Sequence, residues 1–146
     1  MKKGVTLVEL MVVVLILGLL TGLALPAMRT LGRWPLKTAA QELAAAMREA
    51  RETAITHGQT CTLVFYDMGG RYRLDLPEET LWTNLPEGLS MIANLPVVGS
   101  RPTLYFRYTG APNLGGYVRL RDQEGHLLYV IVTPVTGRVR IDSVPP

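Results

Sequence analysis

The opening segment of this chain constrains its fold more than any other feature, because it is a long apolar run that holds a single charge. Between residues 5 and 28 the only ionisable side chain is that of Glu9. As a helix rising about 1.5 Å per residue, Val5–Leu25 would be about 31 Å long, which matches a hydrocarbon core about 30 Å thick. The sequence therefore predicts a membrane-spanning helix over residues 5–28.

The flanks of the run indicate how it would lie in a membrane. Lys2 and Lys3 precede it, and basic residues beside a span stay in the cytoplasm. The rest of the chain is then expected outside the cytoplasm, held in the inner membrane by one pass. The run is longer than the apolar core of a secretory signal, and Leu23–Met28 is a poor match to a small-residue cleavage site. On these properties alone, a plain signal anchor and a cleaved signal peptide both stay open.

Glu9 is the costly residue of the run. A carboxylate at the centre of a bilayer costs about 2.5–3.5 kcal/mol on insertion scales. An opposite charge nearby lowers that cost. Glu9 is therefore predicted to meet a positively charged partner.

The order Gly4-Val5-Thr6-Leu7-Val8-Glu9 resembles the signal of type IV prepilins and type II secretion pseudopilins. The resemblance implies that residues 1–4 are a leader, that a prepilin peptidase cuts after Gly4, and that the new amine of Val5 is methylated. Glu9 becomes the fifth residue of the processed chain, where the family's glutamate neutralises the amine of an adjacent subunit during assembly. The first processed residue is usually Phe in this family, and here it is Val5.

The remaining residues, 29–146, are long enough for one small globular domain. Two of the 15 Lys and Arg residues lie in the leader, so the remainder exceeds the 12 Asp and Glu residues by only one. Cys61 is the only cysteine and cannot form an internal disulfide. It lies in an apolar run, where a cysteine behaves as a small buried hydrophobe. The missing disulfide favours a minor pilin or pseudopilin over a major pilin.

The hydrophobic periodicity predicts an α+β domain in which a long N-terminal helix packs on an antiparallel β-rich part. The amphipathic part of the helix is predicted over Thr38–His57, with Gly58 ending it. Two hairpins are indicated by strand-like runs joined at Gly-containing turns. The predicted strands are Thr60–Asp67, Arg71–Leu76, Leu81–Thr83, Ser90–Ala93, Thr103–Tyr108, Tyr117–Arg121, Leu127–Val132 and Arg138–Asp142.

The C-terminal half narrows the resemblance. An aromatic strand, a Gly-containing turn, a hairpin and the ending Gly137-Arg138-Val139-Arg140 resemble H-type pseudopilins of type II secretion and FimT-type minor pilins of type IV pilus systems. Such a protein would be a structural subunit of a pseudopilus or pilus. Its partners would be the prepilin peptidase, other subunits and the inner membrane.

An enzymatic role is not expected. The two histidines, His57 and His126, each lie near a glycine at an apparent element end, so both are expected to be exposed and structural. One cysteine and two histidines do not give the spacing of a zinc site. No phosphate-binding loop or nucleophile elbow is present in the sequence. We expect no catalytic residues, no metal site and no cofactor.

The alternative is a DNA-binding minor pilin for natural transformation. FimT-type proteins are associated with DNA capture through a Gly-Arg-x-Arg motif, which would assign that role to Arg138 and Arg140. Alternate residues of a strand share one face, and Arg119 with Arg121 has the same spacing. If these strands adjoin, a basic patch forms that could contact phosphates without sequence preference. Exposed arginines that only solvate the sheet are the opposing interpretation.

Overall fold

A computed structural model describes residues 7–31 and 34–146 of the chain, with side chains described at 7–19 and 35–146. The predicted leader, residues 1–4, and the predicted cleavage site at Gly4 and Val5 lie outside the described residues. The chain divides into two compact units, the first ending at Trp34 and the second comprising Pro35–Pro146.

The first unit contains helix α1, Leu7–Leu31. Its side chains from Leu7 to Leu19 are all exposed, and all but Glu9 and Gly18 are large and apolar. Where side chains are described, no helix combines the length and the apolarity needed to cross a membrane. The predicted span over residues 5–28 lies partly outside those residues.

Helix α2, Trp34–His57, belongs to the second unit from Pro35 onward. This confirms the amphipathic helix predicted over Thr38–His57, with a start four residues earlier. Pro35 lies in the first turn, where a missing N–H costs nothing. The buried face of α2 is mostly alanine, which lets the backbone approach the sheets closely. Its buried residues are Leu36, Ala39, Ala40, Leu43, Ala44, Met47, Ala50 and Ala54.

The first sheet has five antiparallel strands in the order β3-β2-β1-β6-β5. The short 3-10 turn Asp67–Gly69 connects β1 to β2, which confirms the first predicted hairpin. The strand β6 is shifted from the predicted Thr103–Tyr108, and β5 was not predicted. The strands are β1 Cys61–Tyr66, β2 Arg71–Asp75, β3 Thr80–Asn84, β5 Val97–Val98 and β6 Arg101–Phe106.

The second sheet has four antiparallel strands in the order β4-β7-β8-β9. The adjacent strands β7 and β8 confirm the second predicted hairpin. The strand β4 crosses from the region between the hairpins to pair with β7. The strands are β4 Ser90–Asn94, β7 Gly116–Arg121, β8 Leu127–Val132 and β9 Val139–Asp142.

One hydrophobic core joins α2 to both sheets. Met47 from the helix, Phe65 and Phe106 from the first sheet, and Leu120 and Val130 from the second are all fully buried in it. Every buried residue of this core lies between positions 36 and 139. The segment 35–146 thus carries a complete core and can fold as a unit. The α+β fold class predicted from the sequence is confirmed.

Candidate functional site

Glu9 lies in the first turn of α1 with an exposed side chain. A carboxylate at this end of a helix is favoured by the positive end of the helix dipole. The side chains that surround it along α1 are apolar and exposed. A helix that is apolar on all sides is typical of burial in a larger assembly or in a membrane.

Arg138 does not lie in a strand, because β9 begins at Val139. It lines a cleft of about 500 Å³ beside α2, together with Arg48, Arg51 and Glu52 of the helix. The floor of this cleft is the turn that contains Gly137. We call this site the α2 cleft.

Gly137 is required by the geometry of the cleft. Its φ is +64°, in the left-handed region that favours glycine. A Cβ atom there would lie 2.7 Å from the carbonyl oxygen of Gly110 and 3.1 Å from Nε of Arg51. The Gly-Arg pair therefore lets the chain pass close to α2 and then present Arg138 at the cleft.

Two backbone carbonyl groups hold the helix arginines at the cleft. Nε of Arg51 donates to the oxygen of Gly110 at 3.1 Å, and Nη2 of Arg48 donates to the oxygen of Val139 at 3.4 Å. Three arginines, Arg48, Arg51 and Arg138, and one acidic residue, Glu52, therefore line the cleft. A site of this composition favours an anionic ligand. Sequence reasoning missed Arg48 and Arg51, which look like ordinary members of a charged helix face.

Arg140 lies apart from the α2 cleft. It is in β9, opposite Ile131 of β8, and its guanidinium lies 3.7 Å from the carboxylate of Asp142. The structure therefore does not bring Arg138 and Arg140 into one cleft.

A single basic patch was expected only if the strand with Arg119 and Arg121 adjoined the strand with Arg140, and these two strands do not adjoin. The strand β8 separates β7, which carries Arg119 and Arg121, from β9. Arg119, Arg121 and Arg140 all lie on the face of the second sheet that points away from the core, but β8 lies between Arg140 and the other two.

A second arginine group was not predicted at all. On the face of the first sheet that points away from the core, Tyr66, Arg71, Arg73, Trp82 and Arg101 stack together, and we call them the arginine–aromatic cluster. The guanidinium carbon of Arg101 lies 4.0 Å from the ring centre of Tyr66, and that of Arg71 lies 5.0 Å from the ring centre of Trp82. The alternation Arg71-Tyr72-Arg73 signals the shared face, but the sequence does not show which strands flank it.

The histidines and the cysteine have structural environments. His57 is exposed, as expected, whereas His126 is half-buried, with Nδ1 2.8 Å from Oδ2 of Asp122. Cys61 is fully buried, and this burial raises the pKa of its thiol. Over the described residues, no group of three or more His, Cys, Asp or Glu side chains is arranged to hold a metal ion.

Two protein-family models match the chain. The family described as type II transport protein GspH matches residues 39–137, and the prokaryotic N-terminal methylation motif matches residues 1–25. The pilin-like protein PilA1 of Thermus thermophilus is 37% identical over 156 aligned positions, which cover 97% of this chain and 99% of that protein.

Two solved structures with a similar fold are a minor pseudopilin and a minor pilin. The minor pseudopilin EpsH from the type 2 secretion system of Vibrio cholerae has a TM-score of 0.60 at 17% identity, covering 73% of this chain and 94% of that one. The type IV minor pilin FimU of Pseudomonas aeruginosa has a TM-score of 0.59 at 16% identity, covering 76% of this chain and 92% of that one. At these identities the likeness concerns the fold.

Proposed function

This chain belongs to the GspH family and is a structural subunit of the minor pseudopilin and minor pilin kind, and from that premise we propose how it matures and assembles. It is held in the inner membrane by residues 5–28, with its N-terminus in the cytoplasm. A prepilin peptidase cuts after Gly4 and methylates Val5. The processed subunit then enters a pseudopilus or pilus.

The match of the N-terminal methylation motif to residues 1–25 carries this proposal. It covers both the cleavage position and Glu9, so one segment accounts for processing and for assembly. The exposed apolar side chains of α1 support the same role, because such a surface is stable only in lipid or against other apolar helices.

Glu9 acts through the amine that cleavage creates. In an apolar surrounding, an unpaired carboxylate and an unpaired ammonium are each costly, and their pairing lowers both costs. A subunit whose α1 is correctly placed brings Glu9 against the amine of its neighbour. A subunit out of register leaves two charges in an apolar environment, so the pair selects the register of assembly.

Mass spectrometry of the purified chain after co-expression with a prepilin peptidase tests the processing step. We expect loss of Met1–Gly4 and one added methyl group on Val5. Gly4→Val should abolish cleavage. Glu9→Val should leave cleavage intact and reduce incorporation into sheared filaments. Cleavage at any other position would overturn the processing proposal, and normal incorporation of Glu9→Val would overturn the role of Glu9.

DNA binding is a second candidate function, supported by the three guanidinium groups at the α2 cleft. Phosphate contacts of this kind depend on salt and not on sequence. A gel shift of the 35–146 fragment at low and moderate salt tests it. We expect Arg138→Ala and Arg48→Ala to weaken binding, and Arg140→Ala, which lies outside the cleft, to serve as the matched control. Lack of any shift at low salt, or equal effects of all three variants, would remove DNA binding at this cleft.

A further inference from the structure

The arginine–aromatic cluster has a cleft beside it that neither proposed function uses. This cleft has a volume of about 470 Å³ and lies between the turn after β1 and the residues that lead into β6. Tyr66, Arg71 and Arg101 all line it. We call it the β1–β6 cleft.

The aromatic rings hold the arginines of the cluster in place. Arg71 stacks on both Tyr66 and Trp82, at 5.4 and 5.0 Å from the ring centres. Arg73 also stacks on Trp82, with its guanidinium carbon 5.6 Å from the ring centre. A guanidinium group stacked on an aromatic ring is held in one plane, and its N–H groups stay available at the edge of that plane. A ligand therefore binds donors whose positions are already fixed.

One of the three arginines already has an acidic partner within the chain. Nε and Nη2 of Arg73 both donate to Oδ2 of Asp75, at 3.1 and 2.8 Å. Within the described residues, no carboxylate lies in ion-pair distance of Arg71 or Arg101. Asp67, also at the cleft, accepts the backbone N–H of Ala93. Two ordered, exposed guanidinium groups therefore face the cleft with no carboxylate on them.

The surroundings favour a protein ligand over a nucleic acid. The rings of Tyr66 and Trp82 already carry guanidinium groups, so a base would have to displace an arginine in order to stack. Apolar side chains border the arginines: Met68 at the cleft is fully exposed, and Val98, opposite Arg101 in the sheet, is 52% exposed. Apolar surface beside paired donors suits a peptide that alternates acidic and apolar residues.

We propose that the β1–β6 cleft binds an acidic segment of a partner protein, with carboxylates on Arg71 and Arg101 and an apolar side chain against Met68. The binding consists of carboxylate–guanidinium hydrogen bonds and one apolar contact, and it involves no chemical reaction. None of the residues that line the β1–β6 cleft lines the α2 cleft, so it adds a further contact surface to the domain.

The 35–146 fragment offers a direct readout, because the chain has two tryptophans and only Trp82 lies in this fragment. The probe is a capped hexapeptide, Glu-Leu-Glu-Glu-Leu-Glu, titrated while Trp82 fluorescence is recorded. The peptide control replaces every Glu by Gln. We expect saturable binding of the Glu peptide and a dissociation constant at least about tenfold higher for the Gln peptide, the effect of losing charge-assisted hydrogen bonds.

Variants locate the binding. Arg71→Gln with Arg101→Gln should raise the dissociation constant at least about tenfold. The matched control is Arg107→Gln with Arg121→Gln, which removes the same charge from exposed positions outside the cluster and should have little effect. The Lys variants Arg71→Lys and Arg101→Lys keep the charge and the fold and should weaken binding by an intermediate factor. Calorimetry repeats each titration independently of the Trp82 signal.

Several outcomes would overturn the proposal. These are no saturable binding of the Glu peptide, equal binding of the Gln peptide, or unchanged affinity in the Arg71 and Arg101 double variant. Tighter binding of an oligothymidylate than of the Glu peptide would assign the cleft to single-stranded nucleic acid instead.

Discussion

Arg51 and Gly110 join the helix to the loop after β6 through one hydrogen bond, from Nε of Arg51 to the carbonyl oxygen of Gly110 at 3.1 Å. Gly137 passes directly over this bond, close to both of its atoms. The turn that presents Arg138 therefore partly buries this bond. Stability of the domain and the geometry of the α2 cleft depend on the same three residues.

Gly137→Ala should destabilise the domain more than a change of backbone conformation alone can explain. A left-handed conformation costs an alanine about 1–2 kcal/mol. The contact with Gly110 should add about 1–3 kcal/mol of overpacking. Gly58→Ala is the matched control, because Gly58 has φ of +65° and nothing within 4 Å of its Cβ position. Urea unfolding of the 35–146 fragment measures both, and equal losses would contradict the close approach at Gly137.

The alanine face of α2 should not accept larger side chains. Ala44 is fully buried between the helix and the sheets, so Ala44→Leu should lower the free energy of unfolding by about 1–3 kcal/mol. Ala45 is exposed on the opposite side of the helix, and Ala45→Leu should change it by less than about 0.5 kcal/mol. Thermal unfolding distinguishes the two. A stable Ala44→Leu variant would mean that the helix packs less closely than the structure indicates.

Asp122 should contribute stability that is lost in acid. Burial alone would raise the pKa of its carboxyl. Hydrogen bonds from the side chain and backbone N–H of His126, together with the His126 charge, lower the pKa by more than burial raises it, so the pKa lies below its ordinary value. A depressed pKa gives stability that is complete above about pH 4 and is lost as the pH falls through the folded-state value.

The Asp122→Asn variant tests this at the β7–β8 turn. It should be less stable at pH 7 and should show less of the decline in stability that the wild type shows as the pH falls below about 4. Glu124→Gln is the control, because Glu124 is more exposed and lies farther from His126, at 3.6 Å against 2.8 Å for Asp122. Parallel pH curves for wild type and Asp122→Asn would refute the contribution.

Cys61 should report on opening of the core. Its thiol is fully buried and its pKa is raised by that burial, so little reactive thiolate is present at neutral pH. A thiol reagent should label native protein only at the rate at which the domain opens, and denatured protein at once. Fast labelling of native protein would show that β1 is less protected than its central position in the first sheet implies.

The sequence predicted the local pairings well because their signals are local. The hairpins β1–β2 and β7–β8 each join neighbouring runs across a turn, and both are confirmed. The pairings β1–β6 and β4–β7 join distant runs, and no local pattern indicates them. The division into two sheets therefore appeared only in the structure.

The roles predicted for Arg138 and Arg140 stay predictions. Arg138 lies one residue before β9, and the exposure of Arg138 and Arg140 on either side of buried Val139 follows the predicted period of two. Only Arg138 of this pair lines the α2 cleft. The arginine–aromatic cluster could be predicted only in part, since Arg71 and Arg73 share a strand but Arg101 joins them through a pairing of distant strands. Glu9 remains a prediction based on its position after Gly4.

The hydrogen bond from Ala93 to Oδ1 of Asp67, at 3.2 Å, has a consequence for solubility. The strand β4 is at the edge of the second sheet, and the exposed N–H groups of an edge strand can pair with a strand of another molecule. The N–H of Ala93 is one such group, and the side chain of Asp67 accepts its hydrogen bond without continuing the sheet. The carboxylate of Asp67 also places a negative charge at this edge. Asp67 therefore lowers the tendency of β4 to pair with a strand of a neighbouring subunit.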